Sequence, residues 1–251
     1  MPEVWARLDD VCVRYGSKIV MQNLSLDVYE GAITCIIGLS GAGKSTILRL
    51  LNGLKKPDTG RVFVKGVEIT NMSERELIDF RRSIGFSFQF AALFDSLTIF
   101  ENVALPLREH TKMREPEIRQ AVIESLESVG LVNVENRFPS ELSGGMVKRA
   151  GFARAVITNP QAVLYDEPTT GLDPIITHLL TDLIKKLRER LQGTAVVVSH
   201  DLESIYMMAD YIAMLFEGAI VAHGTVEQIR HSPNPIVQQF LTGSEVGPIP
   251  I

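Results

Sequence analysis

Apolar and polar residues alternate along Val4–Val13 and again along Leu24–Tyr29, the period of strands with one buried face. Three largely apolar runs, Ile33–Ile37, Ala162–Tyr165 and Ala195–Val198, read as strands buried on both faces. A turn at Pro57–Gly60 precedes a short hairpin through Arg61–Val64, Lys65–Gly66 and Val67–Ile69. Ile84–Phe88 is a further strand, ending at Gln89. From Phe90 to about Thr158 the period turns helical. Ser73 with Glu76 and Thr98 with Glu101 have the capping-box spacing, each predicting a helix start. Ile118, Ala121, Val122, Ser125, Leu126 and Val129 lie on one helical face, and Gly130 stands where a helix-ending glycine belongs. Ser143-Gly144-Gly145 opens another helix that stops before Asn159-Pro160. The pattern predicts a doubly wound α/β core over 1–89 and 159–242, interrupted by a helical subdomain over 90–158.

The most informative stretch is Gly38-Leu39-Ser40-Gly41-Ala42-Gly43-Lys44-Ser45-Thr46. It sits between the Ile33–Ile37 strand and a helix through Ile47–Leu51, the strand–turn–helix context of a P-loop. Glycines let successive N–H groups turn toward one anion, and the helix start adds unpaired donors. Lys44 is placed to reach the outer phosphates, and the Ser45 hydroxyl to hold Mg²⁺. A nucleoside triphosphate is the expected ligand.

Two acids, Asp166 and Glu167, end the Ala162–Tyr165 run. Alone they fit a solvated turn equally well. Beside a P-loop they fit a magnesium carboxylate and a base for the attacking water. His200 ends the Thr194–Ser199 run and reads either as a strand-end cap or as a catalytic group. Tyr15 fits both rim packing and stacking on a purine.

Composition narrows the partners. The 251 residues carry a net charge of −5, with no basic cluster to serve as a nucleic-acid footprint. Cys12 and Cys35 lie in strand-like runs without metal-ligand spacing and read as reduced core residues of a cytosolic protein. No apolar run approaches the ~20 residues of a membrane span, and Met1-Pro2-Glu3 does not open a signal peptide. Service at a membrane would require docking to another protein.

The order of these motifs resembles the nucleotide-binding subunit of an ABC transporter over nearly the whole chain. Tyr15 matches the adenine-stacking aromatic, Gly38–Thr46 the Walker A loop and Gln89 the Q-loop glutamine. Leu142-Ser143-Gly144-Gly145 matches the family signature. Asp166 and Glu167 match Walker B with its base, Gly171-Leu172-Asp173 the D-loop, and His200 the switch histidine. The resemblance implies a RecA-like P-loop NTPase core with an N-terminal antiparallel β-subdomain and an inserted helical subdomain. It implies catalysis by Glu167, His200 and Lys44, with ATP held by Tyr15, Gly38, Ser40, Gly41, Ala42, Gly43, Lys44, Ser45 and Thr46. Mg²⁺ would take Ser45, Gln89 and Asp166. Two subunits would pack head to tail as a homodimer around two ATP molecules. Ser143, Gly144, Gly145 and Asp173 would then face the partner's nucleotide. The surface at Gln89–Leu97 would pass the motion to integral membrane permease subunits.

Met146 replaces the glutamine that usually follows the signature glycines, and Val147-Lys148-Arg149 follows it. With Phe90–Thr98, Glu101-Asn102-Val103 and Leu105–Thr111, this resembles the ATPases of MCE-type lipid transporters, above all the Mla (maintenance of lipid asymmetry) system of Gram-negative bacteria. That implies phospholipid transport between inner and outer membranes by an ATPase on the cytoplasmic face of the inner membrane. The implied partners are a permease, a periplasmic MCE-domain lipid binder and a small STAS-domain regulator. The alternative is an ABC ATPase for another solute. An ATPase of ribosomes or DNA repair fits less well without a duplicated cassette or a long heptad run. Every chemical position except Met146 is intact, against a catalytically dead scaffold. The tail, Gly243–Ile251, reads as a frayed end or as a partner-docking arm.

Overall fold

In the computed structural model, which describes residues 2–250, the alternating N-terminal pattern becomes two long paired strands, β1 (Val4–Tyr15) and β2 (Lys18–Tyr29). Both exceed the predicted spans. Register shifts in their pairing between Leu8 and Val13, and left-handed residues at Asp10 (φ 52°) and Asn23 (φ 50°), break the alternation that defined those spans. The buried run Ile33–Ile37 is β3, and α1 (Lys44–Leu51) follows it across the glycine-rich loop. Then come the hairpin β4 (Thr59–Val64) and β5 (Val67–Glu68), α2 (Glu74–Arg81) and β6 (Ile84–Ser87). Three helices separate β6 from the next strand: α3 (Ile99–His110), α4 (Glu115–Ser128) and, after a short 3₁₀ turn, α5 (Gly144–Val156). The chain closes with β7 (Ala162–Asp166), α6 (Pro174–Leu191), β8 (Thr194–Val198), α7 (Leu202–Met208), β9 (Tyr211–Phe216), β10 (Ala219–Thr225), α8 (Val226–Arg230) and α9 (Pro235–Thr242).

Both predicted capping boxes form: the Ser73 and Thr98 hydroxyls accept from the Glu76 and Glu101 N–H groups, and each glutamate accepts in return. Gly130 ends α4 with φ 70°.

Two sheets result. β2-β1-β4-β5 is antiparallel, and β10-β9-β3-β8-β7-β6 is parallel from β9 to β6 with β10 as an antiparallel edge. The central strands are buried throughout because each faces two cores. Cys35, Val163, Tyr165 and Val197 point to the layer that includes α3–α6. Ile36, Leu164, Val196 and Val198 point to the layer of α1 and the antiparallel sheet. The carboxyl ends of β3, β7 and β8 thus open between the layers. In an open parallel sheet that is where ligands bind.

Two expectations change here. Cys12 is half-buried rather than core, since the irregular β1–β2 pairing turns it toward Asn23, whose N–H donates to its sulfur at 3.3 Å. The tail does not fray. Gln239 donates to the carbonyls of Ser244 and Ile249 and accepts from the Ile249 N–H at 2.7 Å, and Ile249 is buried against the larger core. Met1 and Ile251, at the ends of the predicted opening and tail, lie outside the described residues. Among the described residues, no helix is long and apolar enough to cross a membrane.

Candidate functional site

The loop between β3 and α1 folds as it does because three glycines adopt backbone angles that other residues avoid: Gly38 (φ 148°), Gly41 (φ 76°) and Gly43 (φ 104°). At Gly38 a side chain would strike the backbone carbonyl of Leu215, and at Gly43 a Cβ would lie 2.7 Å from Val20. The loop is wedged between β9 and β2. No side chain caps α1, so the Lys44 and Ser45 N–H groups at its start remain available to an anion, while the Thr46 N–H donates back to Gly43 (2.9 Å). Lys44 is buried and folds over the loop, donating to the carbonyls of Gly38 (3.0 Å) and Leu39 (3.1 Å).

Two strand ends meet this loop. From β7, the Asp166 carboxylate accepts from the Ser45 hydroxyl at 2.7 Å. Burial pushes the Asp166 carboxyl above its ordinary range, the Ser45 bond opposes that shift, and the Glu167 charge adds to it. Glu167 is buried, with a left-handed backbone (φ 47°). One carboxylate oxygen lies 3.6 Å from the Lys44 ammonium. The other accepts from Thr170 Oγ1 (2.9 Å) and from His200 Nδ1 (2.9 Å), which reaches in from the end of β8. With a carboxylate as acceptor, Nδ1 carries the proton.

These groups line one cavity of about 510 Å³, a volume within the range of small-molecule sites. Tyr15, Ser40, Gly41, Gly43, Lys44, Ser45, Thr46, Gln89, Glu167 and His200 all face it. Asp166 lies behind Ser45, and Gly38 and Ala42 belong to the loop without lining the cavity. Tyr15, 44% exposed, stands at the rim with the Lys55 ammonium 5.4 Å from its ring centroid. The donor set suits a nucleoside triphosphate: apolar and aromatic at one end, a buried ammonium and bare helix start at the other. The Ser45–Asp166 pair is a hydroxyl and a carboxylate, the hard oxygen ligands that Mg²⁺ takes.

Ser143, Gly144, Gly145 and Asp173 are not brought to this cavity. Ser143 caps α5, its hydroxyl accepting from the Met146 N–H, and Asp173 caps α6, accepting from Ile176 N–H at 3.0 Å. Ser143, Gly144 and Asp173 are solvent-exposed. Gly145 is buried because α6 crosses close by; a Cβ there would lie 2.8 Å from Ile176.

Two contributors were not predicted from sequence. Thr170 donates to Glu167 three positions earlier, a spacing that a hydroxyl after a carboxylate-bearing turn makes available. Lys148, half-buried on α5, donates to the backbone carbonyls of Glu167 (3.3 Å) and Thr170 (2.9 Å). Its signal is compositional, for α5 carries three cations and no acid.

The profile of the ABC transporter family matches residues 21–170. An intermembrane phospholipid transport system ATP-binding protein, MlaF, of Haemophilus influenzae is 44% identical over 234 residues, 93% of this chain and 89% of its own. A probable ribonucleotide transport ATP-binding protein, mkl, of Mycobacterium leprae is 42% identical over 94% of this chain and 68% of its own. Among solved structures, a dimeric ATP-binding cassette, MJ0796, in a post-hydrolysis state bound to ADP and Pi superposes with a TM-score of 0.82. It is 34% identical and matches 88% of this chain and 98% of that one.

Proposed function

The chain belongs to the ABC transporter family as an ATP-binding, ATP-hydrolysing subunit, and from that premise we propose that it powers phospholipid movement between membranes from the cytoplasmic face of an inner membrane. Subunits of this family pair with each other and with membrane permeases. Here the further partners would be a periplasmic MCE-domain lipid binder and a small STAS-domain regulator. The lipid reading rests on the 44% and 43% identity to the MlaF proteins of Haemophilus influenzae and Escherichia coli.

For the hydrolytic step, the carrying observation is the environment of Glu167. Its carboxylate faces the same cavity as the glycine-rich loop, with Thr170 and His200 on one oxygen and Lys44 near the other. It would take the proton as water oxygen attacks the terminal phosphorus and the bond to ADP breaks. Lys44 would leave its loop carbonyls for the phosphates. Ser45, Asp166 and Gln89 would hold Mg²⁺, which supplies charge neutralisation when bound. The loop from Gly38 to Thr46 would wrap the phosphates and Tyr15 would stack on the base. Ser143, Gly144, Gly145 and Asp173 would serve the partner's nucleotide, consistent with their place away from this cavity and with the exposure of Ser143, Gly144 and Asp173.

Glu167→Gln tests the base. Turnover should fall by ~10²–10⁴-fold with ATP still bound; unchanged turnover would remove Glu167 from that role. The cargo is tested by recovering the membrane complex in mild detergent and identifying its proteins and lipids by mass spectrometry. A permease, an MCE-domain protein and phospholipid support the proposal. A second reading, a transporter of another solute, is favoured by the similarity to the Mycobacterium leprae protein, named a probable ribonucleotide transport ATP-binding protein. A different solute-binding partner would select it.

A further inference from the structure

Helix α5 runs Gly144-Gly145-Met146-Val147-Lys148-Arg149-Ala150-Gly151-Phe152-Ala153-Arg154-Ala155-Val156, three cations without one acid. Burial pushes all three below their ordinary values. Each of them donates to backbone carbonyls, although the Arg149 Nε is buried without a partner. Arg149 donates to Gly130, at the end of α4 (2.8 Å), and Lys148 to Glu167 and Thr170. Arg154 donates to Ala91 (2.5 Å) and Ala92 (2.7 Å).

The Arg154 partners are unusual. Ala91 (φ 59°) and Ala92 (φ 48°) are successive left-handed residues, a conformation that costs any side chain with a Cβ. A pair of them turns both carbonyls toward one side, where the planar fork of a guanidinium takes one on each arm. Ala91 is buried against α5, and it fits because position 151 is bare. A Cβ at Gly151 would lie 2.9 Å from that of Ala91. The same two alanines close the turn ahead of them: Ala91 N–H donates to Phe88 (2.8 Å) and Ala92 N–H to Phe90 (2.7 Å). Gln89 lies inside that turn and faces the nucleotide cavity. Its position therefore follows from whether residues 91 and 92 stay left-handed.

We propose that Arg154 is a positioning residue for Gln89, holding Ala91 and Ala92 in their left-handed conformation. With Lys148 on the Glu167 carbonyl, this makes α5 a strut. One helix, whose exposed start is Ser143, fixes both Gln89 and Glu167 of its own chain. A tilt of α5 on contact with a partner subunit would then move both groups together. The proposal rests on the roles given above to Gln89 and Glu167.

The test is steady-state MgATP hydrolysis by the full chain carrying Arg154→Ala, Ala92→Gly or both, beside affinity for a fluorescent ATP analogue. Arg154→Ala should lower kcat ~10-fold or more through misplacement alone, with nucleotide affinity within about twofold, since no contact to the glycine-rich loop is lost. Adding Ala92→Gly should restore most of the loss, because glycine adopts the left-handed angle without help. A merely structural role for Arg154 predicts no such rescue. Wild-type kcat in Arg154→Ala would overturn the proposal. So would a well-folded Arg154→Ala whose loss Ala92→Gly leaves untouched. Should Arg154→Ala fail to fold, Arg154→Lys keeps the charge but not the fork. It should show the same rescuable loss, and wild-type kcat there overturns the idea. A wild-type chain without ATPase activity, or a fully active Glu167→Gln, would instead sink the reading of the site itself.

Discussion

The imidazole Nδ1 of His200 meets Glu167 Oε2 at 2.9 Å, joining a half-exposed ring to a buried carboxylate. Thr170 Oγ1 bonds the same oxygen, while Lys44 approaches the other. Glu167 is therefore oriented from two sides, and losing one support should not free it. His200→Ala should reduce turnover by about 10–100-fold, less than Glu167→Gln. The double variant should be no slower than Glu167→Gln alone, since the histidine acts through the carboxylate. Steady-state ATPase rates of the three variants decide this. A double variant slower by the product of the two losses would give His200 an independent role.

Asp166 makes a prediction with a definite sign. Its folded-state pKa is raised, chiefly by burial. A raised pKa in an acid contributes stability below the ordinary Asp value near 3.9, and that contribution is lost as pH rises through the folded value. At neutral pH and without Mg²⁺, the buried charge is a cost. Asp166→Asn, which can still accept from Ser45, should raise the melting temperature there. The gain should shrink as pH is lowered toward 4. Added Mg²⁺ and ATP should stabilise the wild type but much less the variant, because the metal's carboxylate is gone. Thermal melts across pH, with and without MgATP, check both parts.

His223 carries the opposite sign. It stacks on Tyr29 (ring centroids 5.6 Å apart, 12° between planes), and its Nε2 is buried without a hydrogen-bond partner. Burial lowers its pKa, with the Asp27 charge opposing. Stability held by the neutral ring is full above the unfolded value near 6.5 and is lost as pH falls through the lower folded value. His223→Phe preserves the stack and removes the titration. The variant should lose less melting temperature than the wild type between pH 7.5 and 5. Equal losses would clear His223 of any part in the acid response.

Local signals in the chain carried a good deal of this. The Gly38–Thr46 loop, the Ser73 and Thr98 caps and the buried runs of β3, β7 and β8 depend on neighbours a few residues apart, which spacing reports directly. What stayed illegible depends on distant pairing. β2 begins six residues earlier than its alternation, since the irregular register with β1 hides it. The edge pair β9 and β10 gave no reading, although β9 completes the wall behind Gly38. Ala91 and Ala92 occupy angles that their residue type argues against, and what accommodates them, the bare position at Gly151 and the fork of Arg154, lies about sixty positions away.

The C-terminal segment is the remaining case, and its anchoring rests on one amide. Gln239 on α9 offers Nε2 to the carbonyls of Ser244 and Ile249 and Oε1 to the Ile249 N–H. Gly243, left-handed at φ 65°, turns the chain back so that the contacts can form. Ile249 then buries its side chain in the core that also holds Val237. Truncating a buried isoleucine to alanine costs about 2 kcal/mol at the low end of the usual range, and this near-terminal site can relax. In a domain of this size that is a fall of roughly 4–8 °C in melting temperature. Gln239→Ala should cost a comparable amount by stranding both polar groups of Ile249. Both changes release the same segment, so the double variant should fall short of the sum. It should match a chain ending at Thr242. Full additivity, or a truncated chain as stable as the wild type, would mean that the segment does not contribute to the fold through this anchor.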